Sequence, residues 1–405
     1  MIADPAPAPA ARERPPLRRA IAVQIVDMPA WTPPYDHALC AALARGGADV
    51  ELVTTYFPFA PVPRGAGYRV SERFYRRSAR LYRLRGEYRS TPPGGAVERV
   101  RRVVKSAEHV PDLLRYRRRA RDADIVHYQW LTSQRLDVHL LPAKRPRVMT
   151  AHDIVPPAPR VGDVAAMPRL LDKMDAVIVH SEHGAERLRT QLGVDADSVH
   201  VIEHGAFDYL TRLPDEQPLP PELASVRKPV ILSFGLVRPY KGVDLLLDAF
   251  ADVPDAELWV VGMPRMDMAP LHALAARAPG TVRFVSRFVQ ESEIPAYFRR
   301  ADVVVLPYRE IDQSGVLYTA LAFGKALVLS SVGGFAEVAE GGAVARLVPP
   351  GERDALAAAL TELTGDPELR SQMQRAAARA AAEKYSWDSI AQRTLALYER
   401  LLAAG

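Results

Sequence analysis

Leu232-Ser-Phe-Gly-Leu-Val-Arg-Pro-Tyr-Lys-Gly-Val-Asp-Leu-Leu-Leu-Asp-Ala-Phe250 is the stretch on which the fold turns. Pro229 to Phe234 is a short apolar run that stops at Gly235. The loop after it carries two cations, Arg238 and Lys241, and closes on Gly242. Val243, Leu246, Leu247 and Phe250 then recur at helical spacing. Strand, glycine loop and helix in that order present backbone N–H groups and a positive helix end to a phosphate. Two fixed cations suit a diphosphate better than a single carboxylate. An ordinary turn with two solvated charges fits the same residues, so the rest of the chain has to decide.

Outward from this stretch the same rhythm repeats. Further apolar runs lie at Ala256–Gly262, Val282–Phe284, Asp302–Leu306, Ala326–Leu329 and Ala345–Val348, separated by helical stretches. An earlier series comprises Ala20–Val26, Asp49–Thr54, Asp124–Tyr128, Arg147–Asp153, Asp175–His180 and Val199–Gly205. Continuous apolar runs are the pattern of parallel strands buried on both faces. The class expected is therefore α/β, with two Rossmann-like, doubly wound domains facing each other across a cleft. The first loop, Asp27 to Tyr35, lacks Gly-x-Gly-x-x-Gly, which weighs against hydride transfer.

The divisions expected are a disordered tail at 1–18, a first domain at 19–207, a Pro-rich linker at 208–228 and a second domain at 229–385. A last helix at 386–405 follows completion of the second series and is placed to return to the first domain. Between Arg64 and Arg121 the rhythm breaks, and eighteen Lys/Arg stand against five Asp/Glu. This stretch reads as a basic helical insertion. It suits an anionic membrane surface or anionic acceptor, or else forms a solvated helical hairpin. No nucleic-acid reader motif accompanies it. The whole chain has 405 residues, a formal net charge of +5 and a single cysteine, Cys40. That excludes a disulfide framework and fits a cytoplasmic protein, at most peripheral at the inner membrane face. No run reaches the roughly 18 apolar residues of a membrane span.

Histidines gather near strand ends at His127, His152, His180 and His204, where open α/β sheets collect their ligands. His152, beside Asp153, is the one selected for chemistry, with Asp153 expected to fix its orientation.

These blocks, in this order, resemble the family 4 glycosyltransferases of the GT-B fold over almost all of Val230 to Leu401. Phe234 to Gly242 is similar to the family's donor-diphosphate loop. Ala301 to Tyr308 is similar to the strand leading to its donor loop. Gln313 to Val328 and Val332 to Val338 are similar to segments that close over the nucleotide sugar. The first half matches at Thr150–Asp153, His180–Ser181 and His204–Gly205. The resemblance implies a retaining transferase that moves a sugar from a nucleotide-diphosphate donor, UDP before GDP, to an acceptor hydroxyl. The acceptor implied is a glycan, a lipid-linked saccharide or a small glycoside, with no cofactor and no metal. His152, Arg238 and Lys241 would be catalytic. Gly235, Glu310, Gln313, Ser314, Gly315, Val316 and Thr319 would hold the donor, and Trp31, Tyr35 and His37 would meet the acceptor. There is one departure. The two glutamates that many members carry align with Ile311 and Thr319, with Glu310 adjacent, as in a branch bearing Gln-Ser-Gly in this loop. A non-catalytic nucleotide-sugar-binding module, and a phosphorylase or hydrolase on the same fold, are the rival readings.

Overall fold

A computed structural model describes residues 19–59, 65–83, 95–142, 146–154 and 163–404. The expected tail at 1–18 lies outside the described residues. Seven strands form the first sheet: β1 (Ala22–Asp27), β2 (Asp49–Thr54), β3 (Arg69–Glu72), β4 (Ile125–Trp130), β5 (Arg147–Thr150), β6 (Ala176–Val179) and β7 (Val199–Val201). Six form the second: β8 (Val230–Phe234), β9 (Glu257–Val261), β10 (Thr281–Val285), β11 (Val303–Leu306), β12 (Ala326–Ser330) and β13 (Ala345–Val348). The strand orders are β3-β2-β1-β4-β5-β6-β7 and β10-β9-β8-β11-β12-β13. All pairings are parallel, with Ile25 opposite Leu52 and His127 in the first sheet, and Leu232 opposite Trp259 and Val304 in the second. The central strands are buried along their length because helices cover both faces.

β3 was not expected. Arg69-Val-Ser-Glu72 has no apolar run to announce it, and it is an edge strand held by polar side chains. Arg69 pairs with Asp49 at 2.7 Å, and Ser71 donates to Glu51 at 2.6 Å. Two basic helices, Arg76–Arg83 and Ala96–Arg119, follow it. Glu108 accepts from the backbone N–H groups of Arg77 and Ser78 at 2.6 and 2.9 Å, which closes the first turn of the shorter helix. The Pro-rich stretch 208–228 is packed rather than free. It forms a 3-10 turn at Asp208–Arg212 and a short helix at Pro221–Ala224, and Leu223 and Val226 enter the core beside Trp259.

The chain crosses between the sheets at its end. Helix Trp387–Ala404 lies against helix Pro33–Arg45, and Trp387 donates its indole N–H to the Ala206 carbonyl at 2.7 Å. The two halves also meet at their facing strand ends. Glu337 accepts the N–H groups of Glu182 and His183, both at 2.9 Å, at the start of helix Glu182–Leu192. A carboxylate there satisfies orphan donors and complements the helix dipole. Asp312 accepts from the Ile154 N–H at 3.0 Å and pairs with Arg187.

Candidate active site

In the second sheet the strand order reverses between β8 and β11, and the loops after these two strands part to form a crevice. A cavity of about 670 Å³ opens there. The β8 loop supplies Gly235, Tyr240 and Lys241, and the β11 loop supplies Tyr308 and Ile311. Lys241 Nζ lies 5.0 Å from the centre of the Tyr308 ring. The loop is braced from outside: Arg309 donates to the Pro239 carbonyl at 2.7 Å and to both carboxylate oxygens of Asp244. At Gly242 the backbone is left-handed (φ 67°), and an added Cβ would sit 2.1 Å from the Pro307 carbonyl oxygen, so only glycine fits.

The opposite wall begins helix Gly315–Ala322. Its N-cap, Ser314, makes no side-chain cap, and the start of the helix lies in the cavity lining with Gln313, Ser314, Gly315, Val316 and Thr319. Gln313 is held by the Tyr318 hydroxyl, which donates to its Oε1 at 2.9 Å. Thr319 donates its hydroxyl back to the Gly315 carbonyl at 2.9 Å. Beyond lies an apolar half with Phe234, Met263, Phe288 and Val289. Glu291, which accepts from the Tyr209 hydroxyl, is the only carboxylate among the described lining residues. Burial raises its pKa. Two cations, Lys241 and Arg265, and a helix start share this cavity with an aromatic, apolar wall, a set that can hold a diphosphate and a planar ring together.

Of the expected donor residues, Gly235, Gln313, Ser314, Gly315, Val316 and Thr319 line this cavity, together with Lys241 from the expected catalytic set. Glu310 does not. It is exposed beside Arg309, and its neighbour Ile311 faces the cavity instead. Arg238 lines an adjoining recess together with Trp31. The acceptor trio is divided. Trp31 is 56% exposed, whereas Tyr35 is buried among His152, His204 and Trp387 with ring centres 4.7 to 5.1 Å apart. His37 is buried against Tyr68, 2.5 Å from its hydroxyl, and lines a different recess. Tyr35 and His37 therefore serve the packing of helix Pro33–Arg45, whose inward face the sequence did not distinguish from a cleft-facing one.

His152 is not among the lining residues of the cavity. It stacks on Trp130, with ring centres 5.2 Å apart, and is held by Gln129 and His180 rather than by Asp153. His152 Nε2 meets Gln129 Oε1 at 2.9 Å, and Nδ1 meets His180 Nε2 at 3.2 Å. His180 Nδ1 donates to the Ile202 carbonyl at 3.0 Å. Acceptors at both ends of this series require three protons on two rings. Burial holds His152 well below the usual histidine range and His180 at about 4. A neutral pair therefore needs the Gln129 amide turned, so that its nitrogen donates to His152 and its oxygen accepts from His127. The series reaches the donor side through His204, whose ring stacks on Tyr318 at 4.2 Å. Sequence reading found the histidines but not Gln129, which carries no motif, and it gave Tyr318 no role although its block was recognised. Among the described residues no three His, Cys, Asp or Glu side chains group as metal ligands.

Comparison with known proteins decides the family. Residues 33–205 match the model described as glycosyl transferase 4-like domain, and residues 228–366 match glycosyl transferases group 1. The D-inositol 3-phosphate glycosyltransferase of Jonesia denitrificans is 30% identical over 313 residues, covering 69% of this chain and 72% of that one. The chain belongs to the family 4 glycosyltransferases. A phosphatidyl-myo-inositol mannosyltransferase of Mycolicibacterium smegmatis is 34% identical over 174 residues, 42% of this chain and 44% of that protein. Among solved structures, this glycosyltransferase is similar to sucrose-phosphate synthase from Thermosynechococcus elongatus, with a TM-score of 0.70 and 19% identity over 96% of this chain and all of that one. It is also similar to Anabaena HepE in complex with UDP, with a TM-score of 0.67 and 18% identity over 94% of this chain and all of that one. Both share the GT-B fold with it. The family membership makes this chain an enzyme, and the transferase reading prevails over the binding module.

Proposed function

We propose that this glycosyltransferase moves a sugar from a nucleotide-diphosphate donor, UDP before GDP, to an acceptor hydroxyl with retention of configuration and without a metal. The observation that carries the donor assignment is the meeting of Lys241 with the start of helix Gly315–Ala322 across one cavity. As the bond from the anomeric carbon to the distal phosphate breaks, charge grows on the phosphate oxygen. Lys241 and the backbone N–H groups of Gly315 and Val316 are fixed partners for that charge, which is where preorganised electrostatics lower a barrier. The acceptor hydroxyl attacks the anomeric carbon on the face the diphosphate leaves, and its proton passes to the departing phosphate oxygen. The apolar wall of Phe234, Met263 and Phe288 would take the base. His152 is assigned a positioning role behind Trp130. A UDP neighbour, HepE, favours the uridine donor by analogy.

The test is a thermal-shift panel of UDP, GDP and their sugars in metal-free buffer. One nucleotide at about 100 Kd should add ~2.7 kcal/mol of stability. The shift should disappear in Lys241→Ala. A panel without any shift, or a shift indifferent to Lys241, would overturn the donor assignment.

The acceptor side is proposed to work at an anionic membrane surface. Val100, Val103, Val110 and Leu114 are exposed on one face of helix Ala96–Arg119, flanked by Arg99 and Arg118. An apolar stripe with basic flanks is the composition of an interfacial helix. Co-sedimentation with vesicles containing phosphatidylglycerol should fall at least about threefold in Val103→Asp, as one buried apolar side chain is worth about 1.5 kcal/mol or more. Equal recovery of both proteins would leave a water-soluble acceptor.

A further inference from the structure

Beside the donor cavity lies a second recess of about 540 Å³, which shares Phe57, Phe59 and Leu236 with it. Three cations line it. Arg101 and Lys105 come from helix Ala96–Arg119, on the face opposite its exposed apolar stripe, and Arg238 comes from the β8 loop. Among the described lining residues there is no carboxylate. Arg101 gives two N–H groups to Glu98, at 2.8 and 2.5 Å, which offsets its charge, and Lys105 Nζ sits 4.5 Å above the Tyr75 ring. The remaining walls are largely aromatic, with Trp31, Tyr56 and Phe57.

The backbone of this recess is held in place from behind. Ala30 (φ 54°) and Tyr75 (φ 55°) are two of four described non-glycine residues with left-handed backbone, and both line it. Such residues persist only where the surroundings impose them. Around Ala30, the buried Asp27 carboxylate accepts the N–H groups of Trp31 and Thr32 at 2.7 and 3.1 Å. At Tyr75, Asp112 accepts the backbone N–H at 2.8 Å, and the hydroxyl is fixed by Thr132 and His109 at 2.7 and 2.8 Å. His109 is in turn held by Asp137 at 2.7 Å. Strained backbone braced by buried carboxylates on two walls is a preformed site, not an accidental gap.

We infer that this recess takes the acceptor, and that the acceptor carries a phosphate group. The inference rests on the donor assignment above, since the recess has meaning as an acceptor site only beside a donor. A carboxylate is satisfied by one bidentate arginine, whereas cations arriving from both halves of the molecule match a doubly charged oxyanion with several acceptor oxygens. The aromatic walls suit the ring face of a sugar or polyol next to that phosphate. Arg238 already stands in the recess to meet the phosphate, and the shared wall of Phe57, Phe59 and Leu236 puts the acceptor hydroxyl beside the donor cavity. The phosphate belongs either to a soluble sugar or polyol ester or to a lipid headgroup.

The full chain saturated with UDP, which blocks the diphosphate site, is titrated calorimetrically with glucose 6-phosphate and glycerol 3-phosphate, and with glucose and glycerol. At least one ester should bind about tenfold or more tightly than its parent. Lys105→Glu and Lys105→Gln should each weaken that ester, the former by about tenfold, with UDP affinity kept within about twofold as evidence of intact folding. Arg102→Glu, the same charge change on an exposed neighbour outside the lining, should leave the ester unaffected. A second arm uses phosphatidylcholine vesicles with and without phosphatidylinositol. Headgroup-dependent capture lost in Lys105→Glu but kept in Arg102→Glu, with the soluble esters ignored, assigns the phosphate to a lipid. UDP binding without phosphate preference in either arm, or a preference untouched by Lys105→Glu, overturns the inference and leaves the donor site standing. Failure to bind UDP removes the donor assignment and this inference with it.

Discussion

Asp27 and Asp36 bury two carboxyl groups beside the loop that carries Trp31. Burial raises both, Asp27 to about 6, and Asp36 rises further because the Asp27 charge lies next to it. The folded pair therefore holds protons that the unfolded chain has released by about pH 4. Its contribution to stability is present in acid and is lost as pH rises above about 4, through about 6 for Asp27 and further for Asp36. The buried histidines act in the opposite sense over much of that interval. His180, lowered to about 4, stays neutral in the fold while an unfolded histidine takes a proton below about pH 6.5, so stability rises with pH. Asp36→Asn removes part of the first contribution and leaves the second. Its unfolding free energy should climb more steeply between pH 4 and 6 than the wild type's, by up to about 1.4 kcal/mol per pH unit. Urea titrations in a pH series measure both slopes, and equal slopes would refute the raised pair. None of this was legible in the sequence, where Asp27 and Asp36 are two acidic residues among many.

At the scale of elements, the last helix shows how far a local pattern can be read. Its apolar residues at Ile390, Leu395, Leu397 and Leu401 identified a helix, and the observed span is Trp387–Ala404. What it packs on came from shape. Trp387 is 5% exposed, and a Cβ on Gly205 would lie 2.4 Å from its ring, so glycine is the residue that admits the indole. Trp387→Ala should destabilise the protein by about 3–5 kcal/mol, the cost of emptying a large buried site. Urea denaturation checks this, and a loss below about 1 kcal/mol would mean the helix is not anchored there. β3 is the converse case. Its neighbours' ion pairs hold it in the sheet, and such partners are twenty residues away in the chain, beyond the reach of any period.

Across the whole molecule, Glu337 and Asp312 join the two halves next to the donor loop. Glu337 acts on the start of helix Glu182–Leu192, an interaction worth roughly 0.3–1 kcal/mol where exposed to water. In Glu337→Gln the amide hydrogens of Glu182 and His183 should exchange about two- to fivefold faster, while those of β9 and β12 keep their rates. Exchange mass spectrometry reads this directly, and unchanged rates would show that the contact contributes nothing to holding the cleft. UDP should slow the same amides if donor binding draws the halves together.

The amino-acid sequence alone determined the two series of parallel strands, the glycine loop with Lys241, and the helix that opens at Gly315. Each is a local pattern, set by burial on both strand faces or by the few residues that tolerate a tight turn. The tertiary structure decided which residues of those patterns meet. It took Tyr35 and His37 into the interior, left Glu310 outside, moved Arg238 from the donor cavity to the recess beside Trp31, and held His152 through Gln129 and His180. Those outcomes depend on side chains that come together from distant parts of the chain, and burial and hydrogen bonding between such partners leave no trace in the spacing of either one.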